Sequence, residues 1–194
     1  LSGGVLGYAI YPRRAPPEIN NGAQIRLSNY TSLLNSKSFR HIFIVYFVEG
    51  IALFGAIGFA SALMRDRFDL SYTHIGLLLS GFGIGGLMFS LSVKRLLKLF
   101  SQFQFLIFGG VLSCGAYLSL AYIQAPMGLF PIFLILGLGF YMFHLTLQTH
   151  ATVVSPRTQG TSMALFSLAI FTGTSVGAQI FGYLIDNFSF IHAF

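Results

Sequence analysis

Five long apolar stretches, separated by short polar turns, leave this chain few ways to fold. A helix rises about 1.5 Å per residue, so about 20 apolar residues cross a hydrocarbon layer about 30 Å thick. The stretches run over 42–64, 75–93, 103–123, 127–147 and 163–185. Barrel strands would instead alternate polar and apolar residues with a period of two. Leu106 to Leu112 shows no such alternation, so helices are expected. Only 8% of the residues are charged, against roughly 25% in soluble domains, so the polar coat of a water-soluble fold is missing. The expected fold class is all-α, a polytopic transmembrane helical bundle. With 11 Lys+Arg and 5 Asp+Glu the chain is basic, but in so apolar a sequence the partner is the lipid bilayer and not nucleic acid.

The punctuation is what helix ends require. Arg65 to Asp69 (RDRFD) closes the first stretch, and Ser71 suits the cap of the second. Lys94, Arg95 and Lys98 follow the second in a basic turn, and Gln124-Ala125-Pro126 is a tight hinge before the fourth. Proline is tolerated there because a first-turn amide has no helical partner. Pro156 and Gly160 separate the fourth stretch from the fifth. Residues 1–10 read as the end of a preceding transmembrane helix, 11–40 as a polar central linker, 41–194 as the helical bundle, and 188–194 as the start of a further helix. The expectation is an internal piece of a longer chain. Short cytoplasmic loops retain Lys and Arg. Placing the linker inside the cell gathers nine of the 11 basic residues on that side and leaves Arg65 and Arg67 opposite.

Glu49 stands out because charge is otherwise scarce. A charged side chain at a span centre costs about 2.5–3.5 kcal/mol on insertion scales, and such groups face a bundle interior or a wet cavity. Tyr46, Leu53 and Ala56 share its helix face. One reading makes Glu49 a proton carrier; the other makes it a neutral acid bonded to a neighbouring helix. In the fourth stretch Tyr141, His144 and Gln148 fall on one face at spacings of three and four, lining a pathway or bonding between helices. Imidazole exchanges protons near neutral pH, which makes His144 the second proton-coupling candidate. Thr172, Ser175 and Gln179 form a similar polar stripe in the fifth stretch. Tyr46 joins these residues as a candidate wall of a substrate pathway, and Phe54, Phe82 and Tyr141 would suit a greasy cavity.

Gly81 to Gly86 (GFGIGG) looks like a dinucleotide fingerprint but lacks the preceding strand and helix start. Gly81 with Gly85, and Gly173 with Gly177, are read as sites where another helix backbone packs closely. Cys114 is the only cysteine, and no pairing at metal-ligand spacing and no H-E-x-x-H is present. No enzyme, cofactor or metal site is expected.

Two segments carry a family resemblance. Asp69 to Gly81 (DLSYTHIGLLLSG) resembles the opening of the eighth helix in the major facilitator superfamily. Thr146 to Ala151 (TLQTHA), with Pro156, Gly160-Thr161 and Phe171-Thr172-Gly173-x-x-x-Gly177, resembles the tenth-to-eleventh helix region of its bacterial drug and metabolite:proton antiporters. Gln159 stands where the family often has arginine, and Val93 to Lys98 only echoes its Gly/Asp/Arg loop motif. The resemblance covers nearly the whole chain as a C-terminal half, whose N-terminal half would lie upstream. It implies two three-helix inverted repeats and a site at mid-membrane between the halves. It also implies a bacterial inner membrane location and proton-coupled efflux of a drug-like or metabolite substrate. Proton-coupled uptake of a polar metabolite and a non-transporting membrane interaction module are the alternatives.

Overall fold

The computed structural model describes residues 33–154 and 159–188, and the regular structure among them is entirely helical. Five helices are long and apolar enough to cross a membrane. They are α1 (Lys37–Phe68), α2 (Tyr72–Leu96), α3 (Gln102–Tyr122), α4 (Leu129–Val154) and α5 (Gln159–Asn187). The expected preceding helix over 1–10, linker residues 11–32, Pro156, Arg157 and residues 189–194 lie outside the described residues.

The helix ends follow from local chemistry. α1 begins five residues ahead of its apolar stretch, so residues 37–40 of the expected linker are already helical. Phe39 explains this early start: it is fully buried, and its ring stacks on Phe166 of α5 with centroids 4.9 Å apart. At the far end Asp69 takes a left-handed φ of 46° and closes the helix. Arg67 then reaches across to accepting carbonyls at the end of α3, Ala121 O at 2.9 Å and Ile123 O at 3.0 Å. Ser71 caps α2 by accepting the His74 amide. Ser101 and Gln104 form a reciprocal capping box at α3. Pro126 opens a single 3-10 turn that leads into α4.

Lipid tails are as apolar as leucine, so helices in a membrane associate through close packing more than through water exclusion. Glycines supply that closeness here. A Cβ on Gly177 of α5 would lie 2.6 Å from Ile51 O of α1, and one on Gly55 would lie 2.7 Å from Gly177 Cα. One on Gly173 would run into the Phe47 carbonyl. Gly81 of α2 approaches Phe130 O of α4 in the same way, at 2.8 Å, and Gly85 abuts the Leu134 carbonyl. Gly109 of α3 meets Gly139 O of α4, also at 2.7 Å from the added carbon. α4 therefore sits between α2 and α3, while α1 pairs with α5. An apolar cluster joins the two groups: Leu63 and Met64 of α1 are buried with Leu120 of α3 and with Leu129 and Phe133 of α4.

α1 is not uniformly wound. Its first segment, Lys37–Glu49, gives way to a π turn over Gly50–Gly55 before α winding resumes at Ala56–Phe68. Such turns are uncommon and recur at functional positions. This one starts directly after Glu49.

Close backbone contact makes an asymmetric prediction. Gly177→Leu should lower the stability of the full-length protein in detergent by about 1–3 kcal/mol through overpacking. Gly76→Ala, with nothing within 4 Å of the added carbon, should be neutral or stabilising by about 0.5–1 kcal/mol. Equal melting temperatures for the two variants would show that backbone approach carries no weight.

Candidate functional site

The π turn leaves Glu49 on the inner side of α1, where its side chain is wholly buried. His144, one face along α4, brings Nδ1 to 2.9 Å from Glu49 Oε1. The two residues are 95 apart in sequence and meet only through the packing of α1 on α4. The imidazole is partly exposed and is held by aromatic rings. It stacks on Phe140 at 5.2 Å and meets Tyr46 edge-on at 5.9 Å. Tyr46 in turn stacks on Phe166 at 4.9 Å. The rings fix the orientation of His144, and Phe166 ties α5 to the same assembly.

This pair is only partly satisfied. Glu49 Oε2 and Tyr46 Oη are buried without a hydrogen-bond partner among the described residues. Neutral imidazole carries one N–H, and with that hydrogen on Nδ1 it donates to the carboxylate. Nε2 is then the nitrogen left to accept a proton. A proton arriving there converts a hydrogen bond into an ion pair and neutralises the net charge of the site. In a low-dielectric interior such a change carries weight, because an uncompensated charge is costly to bury.

Two cavities flank the pair, each of about 290 Å³. The first lies among α1, α4 and α5, where Tyr46, Phe54, His144, Phe166 and Phe171 provide rings and Gln148, Ser167 and Thr174 provide polar atoms. The second lies between α1 and α3 and is largely apolar, with Val48, Glu49 and Leu53 on one wall and Ser113, Cys114 and Tyr117 on the other.

Of the residues singled out in the sequence, Glu49, His144, Tyr46 and Gln148 come together around the first cavity. Tyr141 does not. Its ring lies where a Cβ on Gly86 of α2 would go, so it serves the α2–α4 contact. Thr172, Ser175 and Gln179 lie on an exposed face of α5. Thr172 donates to Leu168 O at 2.7 Å and Ser175 to Phe171 O at 3.0 Å, so their hydroxyls are satisfied within their own helix. The reason is angular: Gly173 and Gly177 turn toward α1, and the three polar residues fall on the far side. Ser167 and Thr174, on the cavity side, were not singled out, although their spacing with Ile170 and Phe171 would have placed them on one face. Among the described residues no group of acids, histidines or cysteines is placed to hold a metal ion.

A bundle of long apolar helices that closes around an acid and an imidazole defines a polytopic membrane protein with a protected ionisable centre. Its family is shown by comparison: the Major Facilitator Superfamily model matches residues 1–194, and the chain belongs to that superfamily of membrane transporters. It is therefore classed with transporters and not with enzymes. The chain is 25% identical over 162 residues to an uncharacterized MFS-type transporter, YceJ, of Bacillus subtilis (strain 168). The alignment covers 81% of this chain and 40% of that protein, so the chain spans well under two thirds of its relative's length. No solved structure matches it.

Removing one member of a buried pair strands the other. His144→Ala in the full-length protein should cost about 3 kcal/mol in thermal unfolding, and adding Glu49→Gln should recover part of that loss. Strict additivity of the two substitutions would mean that they do not interact.

Proposed function

We propose that the whole protein is a secondary active transporter that exports a small hydrophobic or amphipathic molecule in exchange for protons, by alternating access. The observation that carries this reading is the contact between Glu49, buried within its span, and His144 beside a cavity. An acid inside a span is functional by default, because lipid-facing packing gives it no reason to persist. Here it has a titratable partner as well. Proton uptake by the pair and substrate binding in the adjoining cavity would favour different conformations. A ligand shifts such an equilibrium only through unequal affinity for the two states.

The cavity lining supports the substrate class. Rings from Tyr46, Phe54, Phe166 and Phe171 give apolar surface, and Gln148, Ser167 and Thr174 give a few orienting polar atoms. That mixture suits an amphipathic molecule more than a highly polar metabolite. The exposed stripe of Thr172, Ser175 and Gln179 would extend the pathway beneath the N-terminal half of the same chain. Tyr141 would support the wall through α2. The proposed setting is a bacterial inner membrane, with the linker over 11–40 on the cytoplasmic side.

Glu49→Gln in the full-length protein should abolish substrate-linked proton movement in everted vesicles, measured with a pH-sensitive dye. Undiminished coupling would remove Glu49 from the mechanism. The sign of the pH change separates export from uptake. For an exporter, substrate entering an everted vesicle drives protons out and the lumen becomes alkaline; for a proton-coupled uptake carrier the lumen becomes acidic.

A further inference from the structure

We propose that Tyr117 of α3 is the positioning residue for Glu49, because its hydroxyl holds the π turn that sets where the carboxyl stands against His144. The hydroxyl donates to Leu53 O at 2.7 Å across 64 positions of sequence. Leu53 lies inside the π turn, and its carbonyl also accepts the Ala56 amide only three residues on. Two donors thus converge on one carbonyl at the point where π winding returns to α. A carbonyl oxygen has two lone pairs and accommodates both.

The opposite side of the turn is held as well. A Cβ on Gly50 would run into the Ile170 carbonyl of α5, and one on Gly55 would fall within 2.7 Å of Gly177 Cα. The turn is therefore gripped between the backbone of α5 and a side chain of α3. The α5 grip is made of backbone and cannot let go locally. The polar part of the α3 grip is a side-chain hydrogen bond, which can break without moving either backbone.

Winding is what this grip controls. A π turn carries roughly one residue more than the α winding it replaces, and one residue corresponds to about 100° around the helix axis. Relaxation of the turn would swing Glu49 relative to the rest of α1 and take Oε1 away from His144. In the present position Glu49 Oε2 and Tyr46 Oη are buried with no partner among the described residues. Buried unpaired polar atoms favour any movement that would satisfy them. Tyr117 opposes that movement.

This inference deepens the reading of Glu49 as the proton carrier, but its test reads the surroundings of Glu49 directly. In the full-length protein, dicyclohexylcarbodiimide labelling of Glu49 is followed by peptide mass spectrometry at fixed pH. Tyr117→Phe and Tyr117→Met keep most of the side-chain volume and remove the donor, and thermal unfolding checks that each is folded. Both should label Glu49 about fivefold faster or more, the factor set by the net strength of an ordinary hydrogen bond. Ser119→Ala is the control, because among the described residues that hydroxyl bonds to Gly115 O of its own helix, at 2.7 Å, and not to α1. Labelling at the wild-type rate in either folded Tyr117 variant, or an equal rise in Ser119→Ala, overturns the proposal. Proton coupling that survives Glu49→Gln would instead overturn the transport reading and leave the labelling result standing.

Discussion

The burial of one carboxyl group, Glu49, organises the centre of this bundle. With only 3% of the residue exposed, it has lost nearly all contact with solvent, and an ionised acid in such surroundings is tolerable only with a partner in place. The partner has to come from another helix and arrive at bonding distance in a fixed orientation. His144 meets that demand, and its own orientation is set by Phe140 on one side and Tyr46 on another. Tyr46 leans on Phe166, which also stacks on Phe39 near the start of α1. A run of rings thus ties the centre to the end of the helix. Of these rings Tyr46 and Phe166 also line the neighbouring cavity, so groups that hold the ionisable pair would also touch anything bound there.

Glycine decides how near the helices come. Where α1 lies on α5, main chain meets main chain with no layer of side chains between them, and α2 and α3 approach α4 in the same manner. Contacts of this kind have little freedom to adjust, because the atoms in touch belong to the helical frame. They fix the rotation of each helix about its axis, and so fix which residues look inward. On α5 this choice sends Ser167 and Thr174 to the cavity and leaves Thr172 and Ser175 outside.

The fold was legible in the sequence because span length is dictated by the bilayer and helix ends by a few residue types. Ser71 and Pro126 act where their chemistry placed them. Glu49 was legible for a different reason, since a lone acid in an apolar stretch is conspicuous. Its partner was not: His144 shared a face with Tyr141 and Gln148, and nothing local distinguishes an imidazole facing another helix from one facing a cavity. The π turn was hidden more thoroughly. Gly50 to Gly55 (GIALFG) reads as ordinary apolar helix, and its winding comes from contacts with α5 and α3 that lie far away in the chain. Periodicity grouped Thr172, Ser175 and Gln179 correctly as neighbours but carried no information on which way the group faced.

The pairing of α1 with α5 through bare backbone also has a mechanical meaning. Two rods touching without an intervening cushion of side chains behave as one stiff beam. The opposing sheaf of α2, α3 and α4 is joined internally in the same way. The junction between beam and sheaf is different: besides the apolar cluster it is crossed by a few polar ties, at Glu49, at the Leu53 carbonyl and at Arg67. The two groups therefore meet along a seam built of side chains, and the ionisable pair lies on it. A change in charge at that pair would act where the beam meets the sheaf.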